Sequence, residues 1–125
     1  MMYYVLDGRT PVRCASVEEW AKRFEASTRI VKQEQFGDAM VSTVFLGLDH
    51  RWGEGGPPIL FETMVFDEGD CFQIQLRCCT YLQAEEMHEK VVALVQASQA
   101  KALALTAETF SKLQVTPPRA DDEPS

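Results

Sequence analysis

Apolar residues are densest between Val41 and Phe66, where two runs, Val41 to Leu48 and Ile59 to Phe66, flank a ten-residue loop from Asp49 to Pro58. Both runs are short, rich in β-branched and aromatic residues and bounded by Gly and Pro. That pattern predicts adjacent antiparallel strands joined by a long hairpin loop. Along the first run Val41, Thr43 and Phe45 point one way and Val44, Leu46 and Leu48 the other. Along the second, Ile59, Phe61 and Val65 oppose Leu60, Met64 and Phe66. Both faces are therefore apolar, and an antiparallel sheet carries two apolar faces only when both are covered. Helices take one face. The N-terminal hairpin, the C-terminal segment or a second copy of the chain would take the other, so a homodimer is among the expectations.

The flanking segments supply the rest of the sheet and its helices. Tyr3 to Leu6 and Thr10 to Cys14 are short strands around the turn dipeptide Asp7-Gly8, an N-terminal hairpin. Ser16-Val17-Glu18-Glu19 has the spacing of a capping box and opens a helix with Val17, Trp20, Ala21 and Phe24 on one face. Arg29 to Gln35 alternates weakly, as an edge strand does, and Gly37-Asp38 turns it into the central pair. After the turn at Asp67 to Asp70, residues Cys71 to Cys79 alternate cleanly as a fourth strand. Thr80-Tyr81-Leu82-Gln83 repeats the capping pattern before a long helix carrying Met87, Val91, Leu94, Val95, Ser98, Ala102 and Leu105, with His88 at the boundary of its apolar stripe. A break near Leu105-Thr106 would give a third, shorter helix, and Pro117-Pro118 ends the helical region. The expected fold is α+β: an antiparallel four-strand meander plus an N-terminal hairpin, with two or three helices packed mainly on one face. One domain spans residues 1–116, and the acidic, Pro-containing tail 117–125 is expected to be disordered.

Composition narrows the function classes. With 19 acidic against 12 basic residues the net charge is -7, which argues against direct binding to nucleic acid, since that needs a basic stripe. The same charge suits a partner with a basic surface. Met1 to Leu6 lacks the basic start of a secretory signal, and no apolar run approaches the ~18 residues that span a bilayer, so a cytoplasmic location without membrane contact is expected. Of the four cysteines, Cys78 and Cys79 are adjacent and point to opposite faces of a strand, so they cannot converge on one metal ion. Cys14, Cys71, Cys78 and Cys79 read as reduced, mostly buried small side chains. Nothing in the sequence calls for a cofactor or a metal.

Candidate chemistry concentrates in the 49–58 loop, which is longer than a hairpin requires. Asp49 and His50 have the residue types of an acid/base pair or of two metal ligands, and Glu62, which interrupts an apolar strand, is the nearest third group. Against this, Asp49 would serve as a turn cap, His50 as a surface side chain, and Glu62 as the partner of a cation such as Arg77. The loop brings no nucleophile motif and no second histidine, so catalysis is not the favoured reading. Trp52 beside Arg51, with Glu54 and glycines around them, has the composition of an interface hot spot; the other reading folds Trp52 back over the sheet end.

The stretches Val41 to His50 (VSTVFLGLDH) and Gly55 to Phe66 (GGPPILFETMVF) resemble a family of small uncharacterised proteins encoded by tailed bacteriophages and prophages. Tyr3 to Val12, Glu19-Trp20-Ala21 and Arg77 to Glu89 share that likeness, which extends to about Val95. The chain departs from the family pattern at Cys78-Cys79-Thr80-Tyr81, in place of a Tyr-x-Thr-Trp arrangement, and in its extended helical C-terminus. The resemblance transfers no activity. By analogy it implies a small binding protein of phage origin that engages a host or phage protein, host machinery or an antiviral-defence factor, and the residue types in and beside the loop offer Asp49, His50, Arg51, Trp52, Glu54 and Glu62 as its contacts. Two other expectations stand beside it: a small-molecule, nucleotide or metal-binding protein, hydrolytic or not, using the same loop, and an accessory protein of phage replication or assembly.

Overall fold

The computed structural model describes residues 2–49, 56–67, 70–100 and Leu113, with the backbone alone at Ala26 and at 70–75. Strands β1 (Tyr4–Asp7) and β2 (Thr10–Arg13) lead to helix α1 (Val17–Ala26). Strands β3 (Ile30–Phe36), β4 (Ala39–Phe45), β5 (Phe61–Asp67) and β6 (Asp70–Cys78) follow, and helix α2 (Tyr81–Ala100) comes after them. The α+β fold expected from the sequence is borne out: β1 and β2 form a separate antiparallel hairpin, and β3-β4-β5-β6 form an antiparallel meander in chain order. The expected break near Leu105, the third helix and the tail lie outside the described residues. No helix among the described residues is long and apolar enough to cross a membrane.

Strand alternation decides which side of the meander becomes the core. The β4–β5 register pairs Val41 with Val65, Thr43 with Thr63 and Phe45 with Phe61, so these six side chains share one face. All six are at most 3% exposed. Leu76 and Cys78 extend the face onto β6. Helix α2 lies across it with Ala84, Met87, His88, Val91, Val92, Val95 and Ser98 buried, the 3-4 spacing that puts one helical stripe against a sheet. Burying a Val or Phe side chain is worth roughly 1.5–3 kcal/mol each, so this layer dominates the stability of the domain. The opposite face carries Met40, Val44, Met64 and Phe66, all half-buried, as the two-sided apolar pattern predicted.

Both helix starts use their predicted caps, to different degrees. At α2 the box is complete: Thr80 Oγ1 accepts from Gln83 N–H at 3.1 Å, and Gln83 Oε1 accepts from Thr80 N–H at 3.2 Å and Cys79 N–H at 3.0 Å. At α1 the Ser16 hydroxyl accepts from Glu19 N–H at 3.2 Å, while the Glu19 carboxylate takes Arg23 Nη1 at 3.3 Å. The expected apolar stripe of α1 is only half used. Val17 is 45% exposed and Ala21 is exposed, while Trp20 and Phe24 are half-buried. The reason is position: α1 packs against the hairpin, not across the sheet, and two aromatic rings suffice for that contact.

Those rings belong to a continuous aromatic series. Tyr3, Trp20, Phe24, Phe45, Phe61 and Tyr81 follow one another with centroid separations of 5.1, 4.9, 6.3, 5.4 and 5.9 Å, tilted, stacked or edge-on as ring quadrupoles prefer. The Trp20 indole N–H donates to Tyr4 O at 3.0 Å, satisfying its one polar atom. The Arg9 guanidinium, in the β1–β2 turn, lies 4.8 Å over the Tyr81 ring and pairs with Glu85, so the hairpin is fastened to α2 as well as to α1. Gly47 makes this series possible. Its φ is +78°, and an added Cβ would stand 2.4 Å from Phe24 Cε1.

Gly47→Ala therefore combines left-handed backbone strain with a clash, for an expected loss of about 2–4 kcal/mol. Gly8→Ala shares the positive φ but meets open space, so it should cost only ~1–2 kcal/mol. Urea denaturation of both variants checks this, and equal losses would mean that the Phe24 contact contributes nothing.

Candidate functional site

The foot of the 49–58 loop is held from two sides. On one side the first residues of the chain run antiparallel to the exit of β4: Tyr4 N–H donates to Gly47 O at 2.8 Å, Tyr3 bridges Leu48, and Asp49 N–H donates to Met2 O at 3.3 Å. On the other, Leu46 N–H donates to Leu60 O at 2.7 Å and Leu60 N–H to Cys78 O at 3.1 Å. The Asp49 carboxylate closes the base itself, Oδ1 accepting from Ile59 N–H at 3.1 Å. Of the two roles the sequence allowed Asp49, this is the cap of the turn. Just outside the foot, Cys79 Sγ lies 3.9 Å from Pro57 O. There a recess of about 490 Å³ opens between the hairpin and the start of α2, with Arg9, Pro11, Tyr81 and Leu82 in its wall.

Glu62 is held within the sheet. It sits opposite Val44 and Arg77 in the middle of the sheet, 7% exposed, and Oε2 accepts from Arg77 Nε at 3.0 Å. A carboxylate at that depth needs such a partner, because an unpaired buried charge costs several kcal/mol. Asp49 and Glu62 thus have separate partners, and the third group for an Asp49–His50 pair is engaged elsewhere. His50, Arg51, Trp52 and Glu54 lie outside the described residues. The cysteines follow expectation where they are described: Cys14, Cys78 and Cys79 are buried thiols. Burial, with the neighbouring Cys79 adding to it, pushes the Cys78 thiol up to about 12, which leaves it protonated and unreactive at neutral pH.

A second polar cluster joins α2 to the sheet, and the sequence did not single it out. His88, expected at a boundary, is 0% exposed and lies among Met87, Val91 and Val92 in the buried stripe. Its Nδ1 is 2.7 Å from Thr43 Oγ1, and Thr43 Oγ1 is 2.6 Å from Thr63 Oγ1. On the other side of the ring, Nε2 is 2.9 Å from Glu34 Oε1. The ionised carboxylate only accepts, so Nε2 carries a proton. Thr43 then donates to Nδ1 of a neutral ring and accepts from Thr63; if the ring is charged, both Thr hydroxyls turn and Nδ1–H donates. Either way no buried polar atom is stranded. Beyond Glu34, Lys32 Nζ lies 3.4 Å from Glu34 Oε1 and 2.7 Å from Glu89 Oε1.

Thr43, His88 and Glu34 have the order of a hydroxyl, a base and a carboxylate, but Thr43 is 0% exposed, so no substrate reaches its oxygen. Two signals in the sequence could have found the cluster. His88 falls at i+4 from Ala84 and i−3 from Val91, inside the stripe rather than beside it, and Thr43 and Thr63 occupy inward positions of both central strands.

The Glu34 carboxylate is held below its ordinary pKa chiefly by the hydrogen bond to His88, with burial opposing and Lys32 adding to the lowering. Lys32 is held above its ordinary value, first by the hydrogen bond to Glu89. A lowered carboxylate stabilises the fold above its unfolded pKa of ~4.3 and loses that contribution as pH falls through the folded value. Acid unfolding followed by circular dichroism should therefore start within that window, and Glu34→Gln should flatten the same limb. Superimposable wild-type and variant profiles would remove Glu34 from the account. Thr43→Val strands His88 Nδ1 in the core and should cost about 1–3 kcal/mol, whereas Thr63→Val leaves the Thr43–His88 bond in place and should cost ~0.5–1.5 kcal/mol. Chemical denaturation of the two variants separates them, and the reverse ranking would contradict the chain of hydrogen bonds.

No family model, no curated protein and no solved structure matches this chain.

Proposed function

We propose that this is a small binding protein that engages a protein partner through the Asp49 to Pro58 loop and the surface beside it. One observation supports the reading above the others. The residues that flank the loop are clamped by the start of the chain, by the Leu46–Leu60 pairing and by the Asp49–Ile59 bond, so both of its ends are anchored to the sheet. Anchoring both ends of a contact loop limits the entropy lost on association. Beside the foot, Leu82 is 62% exposed in the recess wall next to Arg9 and Tyr81. An exposed apolar side chain flanked by Arg and Tyr has the composition of interface contact points. The net charge of -7 favours a partner with a basic surface. The phage resemblance makes a host protein, an antiviral-defence factor or another phage protein the class of partner.

The acid/base or metal use of Asp49 with Glu62 has less support, because each carboxylate already has a partner of its own. Trp52→Ala should weaken partner capture by about 2 kcal/mol, roughly thirtyfold in Kd, with an unchanged unfolding midpoint. Capture from lysate followed by titration with the purified partner measures it, and an unaltered Kd would take the loop out of the interface.

A further inference from the structure

We propose that Glu34, His88 and Glu89 form a binding site for a divalent transition-metal ion of zinc-like ligand preference, at which the Lys32 ammonium is the resident cation that the metal displaces. One ligand atom from each of the three residues lies within 4.8 Å of the others. In a tetrahedral zinc site, bonds of ~2.0–2.2 Å place ligand atoms roughly 3.3 Å apart. His88 Nε2 and Glu34 Oε1 stand 2.9 Å apart, so a small outward turn of Glu34 admits an ion between them. Glu89, whose side chain is 59% exposed, supplies the third ligand by a rotation that solvent permits. One imidazole with two carboxylates leaves a fourth position for water, and imidazole selects against magnesium and calcium.

Two further observations carry the assignment. A positive charge already sits at this place: Lys32 Nζ is 2.7 Å from Glu89 Oε1 and 3.4 Å from Glu34 Oε1, so the cluster is built around a cation. The Lys32 side chain is 49% exposed and can withdraw into water on its flexible stem. A doubly charged ion then neutralises both carboxylates, where the ammonium balances one.

The second observation is the outer shell of the histidine. To ligate through Nε2 the ring must move its proton to Nδ1, and a buried Nδ1–H must have an acceptor. Thr43 Oγ1 is that acceptor at 2.7 Å, and its own hydroxyl hydrogen then goes to Thr63 Oγ1 at 2.6 Å. The two hydroxyls reverse direction together, so the tautomer changes without losing a buried hydrogen bond. Outer partners that orient a ligating ring in this way typically accompany histidine-bound metals. Because Glu34 lies on β3 and His88 and Glu89 on α2, a bound ion would tie the edge strand to the helix, away from the loop proposed to bind partners.

The test is calorimetric titration of zinc chloride into the full chain, made without a histidine tag and freed of metal with chelator, with the unfolding midpoint recorded in parallel. One ion per chain is expected at this site, together with a rise in the midpoint. Lys32→Met should tighten binding and Glu89→Gln should weaken it, each by about tenfold or more. His88 is buried and its variants risk misfolding, so the exposed Glu89 and Lys32 carry the test. His50→Ala should bind as the parent does. The proposal is overturned by a wild-type chain with no saturable binding, including the case in which only Lys32→Met binds. It is equally overturned by affinity that Glu89→Gln and Lys32→Met leave unchanged, or by affinity lost in His50→Ala.

Discussion

A fully buried imidazole imposes a constraint that propagates through this fold. Both nitrogens of His88 must be paired, and the partners come from β4 on one side and β3 on the other. Helix α2 can meet that demand at only one rotation and one height above the sheet, because a turn of one residue swings the ring by roughly 100°. Apolar contacts from Met87, Val91 and Val95 are nondirectional and would tolerate neighbouring placements; the histidine does not. The hydrophobic layer thus supplies the stability, and the polar chain selects one arrangement of it.

The same division of labour appears at the far end of the sheet. Six aromatic rings run from the hairpin through α1 and the central strands to the start of α2, supplying contact area. Gly47 and Asp49 supply geometry: one lets Phe24 lie against the backbone, and the other closes the loop base. Two devices with different chemistry therefore converge on the exit of β4, where the loop begins. The Glu62–Arg77 pair, by contrast, lies within the sheet and serves burial of charge rather than the loop.

Much of the fold was legible in the residue pattern because strand and helix periods are local. Alternation at Val41 to Phe45 and Phe61 to Val65 grouped the side chains that share a face, and Thr80 with Gln83 named the start of α2. Where local reading failed, the deciding contact came from distant residues. Val17 belongs to an apolar stripe yet stays exposed, since nothing in the helix itself reveals that α1 packs on a narrow hairpin. His88 occupies a core position, but burial of an imidazole depends on hydrogen-bond partners 45 and 54 residues earlier in the chain.

By itself, then, the sequence determined the order of elements, which strand side chains share a face, the helix caps and the length of the 49–58 loop, all properties set by side chains within a few residues of one another. Tertiary structure alone decided which polar residues meet. It selected the turn-cap role of Asp49 and the Glu62–Arg77 pair from the readings the sequence left open, and it brought Thr43, His88, Glu34, Lys32 and Glu89 into one cluster between sheet and helix. The physical reason is that a polar group takes its partner from whatever folding brings within about 3 Å, and sequence spacing carries no record of that distance.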